Sequence, residues 1–332
     1  MSGAGERGWL VAIAAGAVVV VIAILAIAGI FSGDDGGSDG EAGAQFGHSE
    51  SVATPAAEPP PEPSVRRLAV GGRPDAIAAG GGYVWVVDSL AGRVSRLNPA
   101  SKKPIPVAAA GFPTDVAGDD GGAWLALADQ GAVQRVTADT GPAPPLRVQG
   151  FPFQIAAGDG AVWAMSQKEV QRIDPSGAPG GTTRVEGNAA SIAAGEGSVW
   201  LTRDNREVVR IDPDSGELEG EPADVPGAFS VTVGESAAWA LGAAGTLVRI
   251  DPETGRPSGG PLQVDKAQDV AAGLGFVWVA GGGGTVARYD PGSGEQVGEP
   301  IAVGQLAQSL TVAEGSVWVA DSRDGAVYRI TP

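Results

Sequence analysis

From residue 65 to the carboxyl end, apolar positions fall in short runs rich in Val, Ile and Ala, separated by glycine, Asp-Pro or Ser/Thr-Gly breaks. Runs of that length bounded by turn residues predict strands. One phrase recurs, as IAAGGGYVW, IAAGDGAVW, IAAGEGSVW and VAAGLGFVW. Its tryptophan falls at 85, 124, 163, 200, 239, 278 and 318, at intervals of 39, 39, 37, 39, 39 and 40. Nine to eleven residues after each stands an arginine, Arg96, Arg135, Arg172, Arg210, Arg249, Arg288 or Arg329. A turn follows, as in RIDPSG or RIDPETG, and then a closing apolar segment such as LRVQG or LQVDK. Four strand-sized segments in a period near 40 define a β-propeller blade. A helical array is excluded by the glycine density, since each interior glycine costs a helix about 1 kcal/mol.

Seven units need four strands each, yet the last offers only SLTVAEG, SVWVAD and AVYRITP. The missing strand is at the other end, where Arg66 to Val70 reads RRLAV before any complete unit. Pairing it beside Ala326–Thr331 would shut the ring and leave no open sheet edge at the seam. The expected fold is therefore all-β: a seven-bladed propeller of four-stranded antiparallel blades with one-plus-three closure, over residues 65–332, preceded by an N-terminal transmembrane helix.

That helix is read from residues 9–31, an uncharged run of 23 residues (WLVAIAAGAVVVVIAILAIAGIF). As a helix it reaches roughly 35 Å, enough to span a bilayer core, and it exceeds the apolar region of an ordinary cleaved signal peptide. Arg7 precedes it and Asp34, Asp35, Asp39 and Glu41 follow. This bias places residues 1–8 as a short cytoplasmic tail and the rest outside the cell membrane. Residues 32–64 are Gly, Ser, Ala, Pro and acid, the composition of a disordered tether.

Charge and composition narrow the chemistry. A formal net charge of −17 offers no basic footprint for nucleic acid. Cys 0 removes disulfides, zinc–thiolate sites and a thiol nucleophile. The single histidine, His48, lies in the tether, so residues 65–332 contain no imidazole base. Gly281 to Gly284 is not followed by a GK[ST] motif and reads as a turn. The Asp212 to Glu217 stretch alternates oxygens in the manner of a calcium loop, but reads first as a type I turn. No cofactor and no metal site is assigned.

The repeated P-x-x-IAAG-x-G-x-VWV and G-x-V-x-RIDP-x-TG phrases resemble the NHL and YncE-like group of bacterial seven-bladed propellers, which includes the streptogramin (virginiamycin B) lyases. The resemblance spans about residues 65–332. It implies a propeller and, for the lyase branch, a catalytic histidine with carboxylates around a magnesium ion. The histidine has no counterpart here, which argues against lyase activity. The DP-x-TG phrase also brings to mind quinoprotein propellers, but their cysteine pair is missing.

Candidate contact residues come from what varies or stands at the channel. Just before the apolar residue that opens each innermost strand stand Ala76, Asp115, Gln154, Ser191, Ser230, Asp269 and Ser309, a predicted polar ring. Phe112, Phe151, Phe153 and Phe229 lie within a few residues of it. On the same rim, the loops between second and third strands concentrate charge in units one, four and seven, at Asp88, Arg203, Asp204, Arg206, Asp321, Arg323 and Asp324. Variable loops on a rigid frame carry function. The regular arginines and tryptophans, by contrast, read as structure. The expected function is a membrane-anchored, extracytoplasmic binding module for a protein, small-molecule or cell-wall ligand. The alternative is a degenerate metal-dependent lyase or hydrolase using Asp115 and Asp269.

Overall fold

In the computed structural model, residues 62–101 and 103–332 form seven antiparallel blades about one axis. The expected tail, spanning helix and nearly all of the tether lie outside the described residues. Among the described residues no helix is long and apolar enough to cross a membrane, and the helical element present is the short 3-10 turn Ala128–Gln130.

Blade 4 shows the plan. Its strands run outward from the axis as Ala189–Gly195, Ser198–Arg203, Glu207–Ile211 and Leu218–Asp224. The second strand is buried at every position but its last, whereas the outer strand is exposed except at Ala223. A strand covered on both faces reads as a continuous apolar run, and here neighbouring blades supply the cover. Trp200 packs towards Val231 and Ala238 of blade 5, while Val199 and Leu201 pack towards Trp163 and Met165 of blade 3. The core is thus a set of wedges between blades.

The repeated phrase has a local cause. In five of the blades the indole N–H donates to the carbonyl of the glycine five residues earlier, as from Trp200 to Gly195 at 3.2 Å. Blade 7 uses Ala313 and blade 2 the Asp119 carboxylate instead. The glycine is required where inner hairpins converge: a Cβ on Gly158 would stand 2.2 Å from the Ala194 carbonyl oxygen.

The arginines staple blades together. Each guanidinium lies over an aromatic ring of its own blade, Trp in five cases, Tyr83 for Arg96 and Phe276 for Arg288. Four of them also donate to a carbonyl in the next blade's outer turn: Arg96 to Ala138, Arg135 to Pro175, Arg210 to Pro252 and Arg329 to Pro99. The turns themselves are built by aspartates. Asp212, Asp251 and Asp290 each accept two backbone N–H bonds from residues two and three positions on, and these bonds hold the carboxyls below their ordinary value. The calcium-like look of Asp212 to Glu217 is a hydrogen-bonded turn.

Ring closure follows the one-plus-three plan. Ser64–Ala69 pairs antiparallel with Ala326–Thr331 in unbroken register from Ser64↔Thr331 to Ala69↔Ala326. It forms the outer strand of blade 7. The wheel has two faces. The lower face carries the inner hairpins, the outer Asp-Pro turns and the start of the Ser64 strand. The upper rim carries the loops between second and third strands and the crossovers from each blade to the next.

Candidate functional site

The seven ring positions do encircle the channel at its upper end. Six of them, all but Ala76, line a cavity of about 330 Å³, to which blade 1 contributes Ile77 instead. Their side chains are engaged with one another's blades. Asp115 Oδ2 accepts from the Ile155 N–H at 3.0 Å, Gln154 Oε1 from Ile192 at 3.2 Å, and Ser191 Oγ from Val231 at 3.2 Å. Ser230 donates to Asp269 Oδ1 at 3.0 Å, and Asp269 Oδ2 accepts from Leu310 at 3.0 Å. This relay latches each inner strand to the next from blade 2 through to blade 7. It stops at blade 1, where Ala76 has no polar atom. The preceding acid there, Asp75, turns to Ser89, accepting from its backbone N–H and its hydroxyl.

Burial sets the electrostatics of this ring. Loss of water pushes the Asp115 carboxyl up to about 7, against the opposing pull of the Ile155 N–H, and the nearby Asp269 and Asp75 charges add to the rise. Asp269 and Asp75 are raised for the same first reason. The magnesium chemistry implied by the lyase resemblance finds no suitable donor set. Asp115 and Asp269 already accept backbone N–H bonds, both are biased towards the neutral acid, and among the described residues no three His, Cys, Asp or Glu side chains converge as ligands.

The charged loop residues divide into two kinds. Asp88 and Asp321, expected as contact residues, are buried, with 7% and 0% of their surface exposed. Asp88 accepts from the Arg73 and Ala91 N–H groups and pairs with Arg93 at 2.6 Å. Asp321 accepts from Gln305, Leu306, Arg323 and Asp324. Both are loop organisers, because a rim loop whose amides face inward needs a buried acceptor. In blade 4, Asp204 accepts the Asn188 N–H, Arg203 pairs with Glu207 and Arg206 with Asp224. Phe153 and Phe229 are half-buried against the wedges of blades 3 and 5.

The large apolar side chains that stay open on the rim fall in one arc. Phe112 is 58% exposed, Phe151 69% and Leu90 60%. Arg323 and Arg73 are exposed on the rim beside them. Leu90 and Arg73 escaped sequence reasoning, although one register comparison contains the signal. Counting three residues back from each ring position gives Arg73, Phe112, Phe151, Asn188, Gly227, Lys266 and Leu306. Counting two back gives proline in blades 1–3 (Pro74, Pro113, Pro152) and alanine in blades 4–7 (Ala189, Ala228, Ala267, Ala307).

The fold and its ringed channel define a seven-bladed propeller whose polar centre is built into the frame. The same architecture is seen in the crystal structure of a catalytically inactive histidine-to-alanine variant of virginiamycin B lyase from Staphylococcus aureus with quinupristin. The TM-score is 0.67, with 17% sequence identity over 82% of this chain and 100% of that one. At that identity the likeness is one of fold. No protein-family model matches the chain, and no curated protein matches it by sequence.

Proposed function

We propose that the protein is a membrane-anchored, extracytoplasmic propeller that binds a partner through its upper rim without performing catalysis. The observation that carries this reading is the contrast between channel and rim. The ring side chains are engaged in latching blades together, and residues 65–332 hold no histidine to act as a base. Large apolar side chains nevertheless stand open on the rim of blades 1–3. Exposed aromatics on rigid loops mark contact surfaces. The anchor reading rests on the apolar run at residues 9–31.

The path of the chain agrees with this use. The Ser64–Ala69 strand starts on the lower face and climbs to the rim, so the rim is free of the first strand's amino end. In cells, a photo-crosslinking residue placed at Phe112 is expected to give a discrete adduct, while one at Glu253 in a lower-face turn gives none. Adducts from Glu253 alone, or from neither site, would defeat the rim reading. Alkaline carbonate extraction tests the anchor: the full chain is expected in the membrane pellet, and a chain lacking residues 9–31 in the soluble fraction.

A further inference from the structure

The open arc on blades 7, 1, 2 and 3 has a defined chemistry, and it deepens the rim reading on which it rests. We infer that it is a docking surface for an acidic peptide segment carrying apolar side chains, presented by a partner protein. The apolar half is Leu90, Phe112 and Phe151. Phe112 lies against the Gly92 backbone of the blade 1 loop, and its N–H is held by Asp129 of the blade 2 loop. Phe151 lies beside Gly131, at the other end of that same blade 2 loop. The two rings therefore flank one loop and belong to one surface.

The cationic half is Arg73, Arg93 and Arg323. A single knot of backbone and side-chain bonds gathers them: the Arg73 N–H and the Arg93 guanidinium both reach Asp88, and Val70 and Gly71 donate to the Gly325 carbonyl. In a chain of net charge −17 such a gathering is local and specific. The acids of these loops point inward. Asp88 and Asp321 are buried on backbone amides, Asp75 is bonded to Ser89, and Asp324 is taken by Arg67 and Tyr328. The exposed carboxylates of these rim loops are Asp129 and, at the far edge of blade 3, Glu186. Arg93 is 55% exposed despite its pair, and neither Arg73 nor Arg323 has a carboxylate within ion-pair distance among the described residues. Blade 4 is the control: its rim arginines, Arg203 and Arg206, are each matched by an acid of their own.

Presentation is rigid. Arg73, Phe112 and Phe151 each precede a buried proline, and a residue before proline is held to extended backbone. Side chains fixed in advance lose little freedom on binding. Guanidinium groups beside aromatic anchors match carboxylates beside apolar side chains, the composition found at the centres of protein–protein contacts. A bilayer surface would supply anionic headgroups too. The pre-set, separately held rings of Phe112 and Phe151 suit the discrete side chains of a peptide more than a fluid headgroup layer, which favours the peptide.

The test is selection of random displayed dodecapeptides on the full-length protein in nanodiscs of zwitterionic lipid. Enrichment of Asp/Glu together with Leu, Ile or Phe is expected. The best peptide, made synthetically, should bind Arg73→Glu/Arg323→Glu and Phe112→Ser/Phe151→Ser proteins at least tenfold more weakly, with melting temperatures unchanged. Raising salt should weaken wild-type binding and leave the residual binding of the charge-reversed protein nearly unaffected. No enrichment, or enrichment of basic peptides, overturns the inference. An acidic peptide insensitive to both double variants but displaced by substitutions elsewhere on the rim also overturns it, and leaves the rim reading standing. Binding of phosphatidylglycerol vesicles that is as strong as the peptide's and lost in the same variants overturns it in favour of a membrane.

Discussion

The two faces of the wheel use the same residue types to opposite ends. On the lower face every arginine of the repeat lies over an aromatic ring, and every Asp-Pro turn closes on its own carboxylate. On the upper rim the occupants change from blade to blade, and in blades 7 to 3 guanidinium and phenyl groups are left facing water. The lesson is that obedience to the repeat marks construction, and departure from it marks where the proposed contact lies. Blades 4 to 6 carry the same frame with no large exposed apolar side chain on the rim, and the rim arginines of blade 4 are paired.

The largest effect that would break this contrast is at the seam. Deleting residues 64–69 removes an entire outer strand, and thermal melting by circular dichroism should fall by about 10 °C or more, or lose cooperativity. An unchanged melt would mean that the ring is not held by that strand. Next come the staples. Arg329→Ala loses the Trp318 stack and the Pro99 bond across the seam, and should cost about 2 kcal/mol in urea unfolding. Arg172→Ala, stacked on Trp163 with no carbonyl partner in the next blade, should cost about 1 kcal/mol or less.

The channel ring sharpens the contrast through pH. Asp115 has a folded value raised to about 7, so the folded state holds its proton more tightly than the unfolded chain does. Its contribution is complete below the ordinary carboxyl value and is lost as pH rises through 7. Asp115→Asn keeps an acceptor for the Ile155 amide, and should flatten the stability profile between pH 4 and 7 while adding about 1–3 kcal/mol at pH 8. A profile identical to wild type would contradict the buried acid. The turn aspartates behave in reverse. Asp251 is lowered by the Thr254 and Glu253 bonds, so its contribution is present at neutral pH and fades as pH falls through the folded value. Asp251→Ala should therefore lower the melting temperature at pH 7, with the gap closing in acid. Smallest of all, Phe112→Ser/Phe151→Ser should move stability by no more than about 0.5 kcal/mol, as befits side chains that already face water.

Much of the frame was legible because a repeat prints its own rules. The tryptophan spacing predicted seven blades, and the orphan RRLAV segment predicted the seam that Ser64–Ala69 makes. The candidate site was less legible, for an identifiable reason. Regularity assigns the arginines and tryptophans to structure, yet six polar residues at one register of the ring, from Asp115 to Ser309, read in the sequence as a contact surface. By the same standard they are construction: the groups that Asp115, Gln154, Ser191, Ser230 and Asp269 bond lie about forty residues away in the next blade. Asp88 and Asp321 misled differently: a charged residue in a loop looks exposed until the inward amides it serves are visible. The exposed arc was hidden because Leu90 and Arg73 belong to two loops that meet only in three dimensions.

The seam also dictates an order of assembly. Arg67 and Asp324, which meet at 2.6 Å, are 257 residues apart in the chain. During synthesis the first β-segment therefore waits, unmatched, until Ala326–Thr331 has been made, and contacts so distant in sequence form slowly. Six complete sheets can stack before then, but the seventh cannot lock. Without the Ala326–Thr331 strand, the opening segment and the inner hairpin of blade 7 would face each other as two raw edges across one gap, so a single strand holds the wheel's circumference together.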